Sequence, residues 1–310
     1  MITKRAEYPS NYVRRLIPFQ SARKAFGAIL SALEISHGKV LLPAYIGWSP
    51  REGSGVFDPI ASLHLDYSFY ALDERLRIDV DSLRTELQSG CIRVLVIIHY
   101  FGYVDPSYAE AVKIAREHDV FVLEDEAHAM LSDVVGGICG RLGDACIYSF
   151  HKILPLEAGG AAIINDPESP LAQTVVADPE CASPLCDFDL NRISDKRRAN
   201  SLVLDKLVRE LAPEIEPLFG APGCGEVPQS YPVLVRGVRR DRLYEAMNAE
   251  GFGVVSLYHT LIDPIAAGPF PASHRISHQI LNLPVHQDVE LDQIERMVET
   301  LGCMVTSGKF

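Results

Sequence analysis

Lys152 lies in the stretch Tyr148 to Gly160, YSFHKILPLEAGG, with Ser149 three residues before it and the pair Gly159 and Gly160 after it. Apolar flanks desolvate an ammonium and lower its pKa, leaving the neutral amine that a Schiff base with a carbonyl compound requires. A little upstream, VLEDEAHA (Val122 to Ala129) ends an apolar run in Glu124, Asp125 and, three residues on, His128. A pyridoxal phosphate site pairs such a lysine with an acid on the pyridine nitrogen, and Asp125 is the candidate acid. Ser149 can present a hydroxyl to the phosphate, and the glycines allow backbone to approach closely.

Each of these residues also has an ordinary role. Most lysines are solvated, as Lys113 is expected to be on the charged face of EAVKIAREH. Lys152 differs in its apolar flanks, its serine and its glycine pair. Glu124, Asp125 and His128 can be written as metal ligands of a hydrolase, but no second His or Asp group stands at helical spacing. Cys181 and Cys186 have neither zinc-knuckle spacing nor a following His. No metal site is expected.

The elements that must position this chemistry alternate between strands and helices. Ser21 is an N-cap, and SARKAFGAILSALEIS places Ala22, Ala25, Phe26, Ile29, Leu30 and Leu33 on one helix face. The start of that helix offers unpaired amides suited to a phosphate, although an ordinary capped helix reads the same way. KVLLP follows as a buried strand, then a loop carrying Tyr45 and Trp48. A flat aromatic there can stack on a cofactor plane, or simply fill core. IASLHLD is read as a strand, DVDSLRTELQSG as a capped helix and RVLVIIHYFG as a continuous apolar strand. Residues 105–118 form a helix leading into the strand VFVLED. Uninterrupted apolar strands between helices mean an α/β fold with a mainly parallel central sheet covered on both faces. Ligands of such sheets sit beyond the carboxyl ends of the strands, which places Asp125 at the ligand edge.

Residues 1–20 read as an irregular arm, residues 213–229 as a linker or long loop, and a helix is expected from about Ser194 to Leu211. The remainder is a smaller α+β part: strand SYPVLVRG, helix Arg240 to Glu250 closed by Gly251, strand GVVSLY, and a terminal helix Asp288 to Leu301. The expected division is a cofactor-binding domain over 1–190 and a small C-terminal domain over 191–310.

With 310 residues, 47% of them hydrophobic, the chain has material for two cores. A formal net charge of −12 argues against nucleic acid or an anionic membrane as partner. Seven cysteines, odd in number and without a CxxC pair, read as reduced thiols of a cytoplasmic protein. There is no apolar run of signal-peptide or membrane-span length. DVVGGICGRLGD fits no nucleotide-binding glycine pattern.

The order of segments resembles the DegT/StrS-type sugar aminotransferases, fold-type I enzymes that use pyridoxal phosphate. The likeness is carried by SAR before a helix, GKVLLPAY, VLVIIHYFG, VLEDEAHA, GRLGDACIYSFHK, a GG strand, the Asn191–Arg192 pair and ILNLPVH. The resemblance implies that Lys152 holds the cofactor as a Schiff base, that Asp125 pairs with the pyridinium nitrogen and that His128 lies near the ring and its phenolic oxygen. It implies phosphate binding by Ser149 and by the backbone of Ala22 and Arg23. Asn191, 39 residues after Lys152, matches the asparagine that reaches a neighbouring subunit's phosphate, implying a homodimer with shared sites. Three departures stand out: Arg23 in place of a hydroxyl residue, a tight Ser149 to Lys152 spacing, and no alanine- and glutamine-rich helix after Asn191. The implied reaction moves an amino group from an amino acid, glutamate first, to a keto-sugar linked to a nucleotide. The alternatives are another pyridoxal reaction, a non-sugar acceptor, or a noncatalytic relative that binds cofactor. Tyr258 and His259 in SLYHTL are candidate substrate contacts, hydrogen bonding within the fold being the common role of a histidine there.

Overall fold

The computed structural model describes residues 14–307 apart from 36, 212 and 238. Strands, in chain order, are β1 (Ile17–Phe19), β2 (Lys39–Pro43), β3 (Asp66–Tyr70), β4 (Ile92–Ile98), β5 (Phe121–Asp125), β6 (Ala145–Ser149), β7 (Gly160–Ile164), β8 (Ile215–Pro217), β9 (Ser230–Val235) and β10 (Ile280–Pro284). The helices before the second sheet are α1 (Ala22–Ala32), α2 (Phe57–Ser62), α3 (Val80–Gln88), α4 (Tyr108–Glu117), α5 (Met130–Val134), α6 (Pro170–Thr174) and α7 (Leu190–Val208). Those after it begins are α8 (Arg240–Ala249), α9 (Asp263–Ala266), α10 (Pro271–Gln279) and α11 (Leu291–Ser307).

The first seven strands form one sheet in the order β1-β7-β6-β5-β4-β2-β3. β3, β2, β4, β5 and β6 run parallel, while β7 and β1 close the far edge antiparallel. In β4, IRVLVII is buried at every position but Arg93, as expected of a strand covered on both faces. Because β4, β5 and β6 are parallel, Ile98, Asp125 and Ser149 come out along one edge. The second sheet, β10-β9-β8, is antiparallel. It packs with α7, α8 and α11 around Leu204, Tyr231, Val233, Leu243, Leu283 and Leu301. Leu261, Ile265 and Ile276 from the C-terminal part join the first core instead. No helix among the described residues is long and apolar enough to cross a membrane.

Local chemistry explains where the elements begin. Ser21 Oγ accepts from Lys24 N at 3.2 Å and caps α1, whose Ala25, Phe26, Ile29 and Leu30 are buried. Asp79 caps α3 through the N–H groups of Asp81 and Ser82.

The structure corrects several expectations. Of the irregular arm, residues 1–13 lie outside the described residues, but Ile17 to Phe19 form an edge strand against β7. IASLHLD is not a strand: α2 occupies Phe57 to Ser62, with Pro59 in the first turn where its missing N–H costs nothing. His64, at φ 53°, then turns the chain into β3. α7 begins at Leu190 rather than Ser194, because Asp189 caps it through Arg192 N at 3.0 Å. The stretch 213–229 contains β8, whose Pro217 is tolerated at the sheet edge. GVVSLY is not a strand. Only Val255 bridges, to Asn282, and Tyr258 turns left-handed at φ 59°.

Candidate active site

β5 ends at Asp125, and the chain turns at once so that Ala127 N donates to Asp125 Oδ1 at 2.8 Å. His128 is carried back beside it. β6 ends at Ser149, and a short 3-10 turn over Phe150–Lys152 brings Lys152 to the same edge. Lys152 Nζ and His128 Nε2 are 3.2 Å apart.

The protons in this contact can be placed. Phe101 N–H donates to His128 Nδ1 at 3.3 Å. Burial and the Lys152 charge push the imidazole well below its usual pKa, so it is neutral. With Nδ1 accepting, the ring proton sits on Nε2 and donates to the lysine nitrogen, which must then be the neutral amine. The shift of Lys152 runs in the same direction. Burial lowers its pKa, opposed by Asp125 and Glu52 and assisted by Arg23. Asp125 is also shifted: burial raises it, and the Lys152 charge works against that rise.

Rings wall this edge. Tyr45, fully buried after β2, meets Tyr100 and Tyr258 edge-on at centroid distances of 5.6 and 5.4 Å. Phe101 stacks on His128 at 5.5 Å and 15°, and Tyr258 reaches His128 at 5.8 Å. The Tyr45 hydroxyl is buried with no hydrogen-bond partner among the described residues. Ser149 pairs with Gly160 across β6 and β7, and a Cβ at Gly160 would collide with Ala22 N. Glycine there brings the amino end of α1 against Ser149, with Ser149 Oγ also 3.3 Å from His151 Nδ1.

The structure thus brings together Lys152, Asp125, His128, Tyr45 and Tyr258, with Ser149 and Ala22 at one end. Arg23 is turned toward the loop after Trp48, where it donates to Glu52 O and pairs with Asp58 at 3.4 Å. Three residues lie apart. Trp48 is 45% exposed, Asn191 is exposed in the first turn of α7, and the exposed His259 contacts Ser256 O through Nδ1 at 2.6 Å. Sequence reasoning missed Tyr100 and Phe101, although HYFG at a parallel strand's carboxyl end is the signal for them. It also missed Glu52, for which a loop glutamate carries no signal.

The DegT/DnrJ/EryC1/StrS aminotransferase family matches residues 11–177, more than half of the 310-residue chain. The chain belongs to that family. The DegT-family match spans Ala22, Asp125, His128, Ser149 and Lys152 and stops short of Asn191, Tyr258 and His259. A pleiotropic regulatory protein of Geobacillus stearothermophilus is 24% identical over 247 residues, 68% of this chain and 64% of that protein. A GDP-4-keto-6-deoxy-D-mannose 3-dehydratase of Yersinia pseudotuberculosis is 27% identical over 135 residues, 42% of this chain and 32% of the enzyme. The chain therefore spans less than two thirds of the length of these curated relatives. Helicobacter pylori PseC, an aminotransferase involved in the biosynthesis of pseudoaminic acid, superposes with a TM-score of 0.77 at 17% identity, covering 95% of this chain and 88% of that one. That likeness establishes the fold-type I architecture.

Proposed function

We propose that the chain is a pyridoxal-phosphate-dependent aminotransferase that moves an amino group from an amino acid, glutamate first, to a nucleotide-linked keto-sugar. The observation that carries this reading is the Lys152–His128 contact at 3.2 Å, with Asp125 in the electrostatic field of the same amine. The residues present fit the cofactor. They supply a neutral amine for its aldehyde, an acid for its ring nitrogen, an aromatic wall with an unpartnered hydroxyl on Tyr45, and a helix amino end beside Ser149 for its phosphate.

When bound, pyridoxal phosphate supplies an electron sink for the carbanion formed at the donor's α-carbon. Lys152, as the neutral amine that the His128 contact requires, would take the proton from that carbon and deliver one to the acceptor's carbon in the reverse half-reaction. Asp125 holds a proton at the ring nitrogen, whose positive charge in turn stabilises the carboxylate. His128 aims Lys152 through Nε2, and the Phe101 amide fixes the tautomer. Tyr45, Tyr100 and Tyr258 exclude water from the amine. The proposal includes the division into lobes 1–190 and 191–310, the second contributing Tyr258. It also includes a homodimer in which the exposed Asn191 serves a neighbouring copy's phosphate, with Trp48 and His259 facing the entrance.

The dehydratase among the relatives supports a second reading, elimination from a keto-sugar by the same Lys152 and His128. One titration separates the two. The purified protein is yellow, loses its band with glutamate, and regains it with keto-sugar nucleotides if it is an aminotransferase. Recovery with small ketones alone removes the sugar, and release of water without consumption of glutamate selects elimination. A protein whose colour is unaffected by Lys152→Ala defeats both.

A further inference from the structure

On the other face of β5 lies a cluster of buried polar groups that the proposed reaction does not use. Strand alternation turns Glu124 away from Asp125, and Glu126 follows it. Glu124 is fully engaged: Oε1 accepts from Gly143 N at 2.7 Å, and Oε2 accepts from Gly140 N at 2.7 Å and from His99 Nε2 at 3.0 Å. Glu126 is not. Its side chain is 0% exposed, and neither carboxyl oxygen makes a well-formed hydrogen bond among the described residues, although the Cys139 thiol faces it. His99 is equally buried, and its Nδ1 has no hydrogen-bond partner among the described residues. A ring nitrogen of His99, a carboxyl oxygen of Glu126 and the thiol of Cys139 lie within 4.8 Å of one another.

We infer that His99, Glu126 and Cys139 form a binding site for one divalent cation of zinc type. A ring nitrogen, a carboxylate oxygen and a thiolate are the donor types zinc takes, and three protein ligands leave a fourth position for water. Glu124 on the His99 ring supplies the outer carboxylate that orients a ligating histidine. Charge agrees: one carboxylate and one thiolate neutralise a dication, which suits a buried place. On binding, the thiol proton of Cys139 and any proton held by the Glu126 carboxyl are released to solvent as the metal–sulfur and metal–oxygen bonds form.

Two features separate this triad from its neighbours. Asp133 and Cys146 also lie within 4.8 Å of Glu126, but they are already occupied. Asp133 is paired with Arg14, with Arg141 Nε at 3.1 Å and with the Tyr148 hydroxyl, and Arg14 reaches Cys146 Sγ at 3.8 Å. Gly140, at φ 74°, has no room for a Cβ, which would strike Asp133 and Glu126. The loop is thereby pressed onto the cluster, carrying Cys139 with it. The cation would tie the end of β4, the end of β5 and the loop after α5 together directly behind Asp125.

The test uses the full-length protein without an affinity tag, incubated with zinc sulfate and desalted. About one zinc per chain is expected, with X-ray absorption showing a single sulfur near ~2.3 Å among nitrogen and oxygen ligands. Glu126→Gln and Cys139→Ser should each bind zinc at least about tenfold more weakly. Cys91→Ser, at an exposed thiol, should bind it normally. A folded wild type that retains no zinc overturns the assignment, as does a zinc shell without sulfur. Retention by all variants would mean an adventitious ion only and overturns it too. Should the buried-site variants fail to fold, the wild-type absorption spectrum decides alone.

Discussion

Three successive carboxyl groups at the end of β5 have three different fates, and the partners each one meets decide which. Glu124 is pushed up by burial, but hydrogen bonds from His99, Tyr108 and Gly143 outweigh that and hold it below the usual carboxylate range. Asp125, on the opposite face, meets an amine instead, and burial leaves it raised despite the Lys152 charge. Glu126 has burial, Asp133 and Glu124 all pushing it well above the usual range, with Arg14 opposing. Glu124 itself is hydrogen-bonded to completion and holds structure together, while Glu126 beside it is left short of partners. The Asp125 face leaves groups short of partners, which is the condition of a reactive site.

The largest effect expected from this contrast is on rate. Lys152→Ala should abolish the chromophore and slow amino transfer by at least ~10³-fold while leaving the melting temperature unchanged or higher, since it removes a desolvated amine. A melting temperature that falls with the rate unchanged would make the Asp125 face structural. Next, Glu124→Gln and Asp125→Asn should behave oppositely. The first removes a buried charge that four donors address and should cost about 3 kcal/mol in denaturant unfolding. The second should cost under about 1 kcal/mol in stability and slow turnover by ~10²-fold. Equal stability losses would erase the distinction between the two faces.

A pH profile sharpens it further. Lys152 is a base whose folded pKa lies below its unfolded value. Between those two values the unfolded chain holds the extra proton, so stability rises with pH there. It is lost as pH falls through the folded value. In cofactor-free protein, Lys152→Met should remove this rise toward the ordinary lysine range near ~10.4, as read from unfolding midpoints across pH. The smallest effect is expected of His128→Gln. The imidazole is neutral, and an amide oxygen can accept from Phe101 N–H while its NH₂ donates to Lys152. Turnover should fall less than about tenfold, whereas His128→Ala, which leaves both partners unmatched, should fall further.

Much of the fold was legible because the patterns that announce it are local. The uninterrupted apolar run of β4 and the caps at Ser21 and Asp79 each read correctly from a few neighbouring residues. Misreadings arose where local pattern and tertiary context disagree. IASLHLD alternates like a strand, yet FDP starts a helix. GVVSLY is apolar like a strand, yet it pairs through one bridge alone. Of the site, the lysine and acid were legible because parallel strands deliver their carboxyl ends to one edge. The Tyr258 contribution was legible as a candidate from its strand-like text, although it arrives on a left-handed turn instead. The zinc-type triad was invisible, since 99, 126 and 139 have no ligand spacing.

The amino-acid sequence by itself determined the alternation of strands and helices, and the placement of a desolvated amine and an acid at strand ends. Periodicity and capping act over a few residues and need no partner from elsewhere. Only the tertiary structure decided that Tyr45, Tyr100 and Phe101 wall that edge, and that His99, Glu126 and Cys139 share one gap. Those contacts depend on sheet order and on the path of the loops, which bring together groups that no local pattern relates.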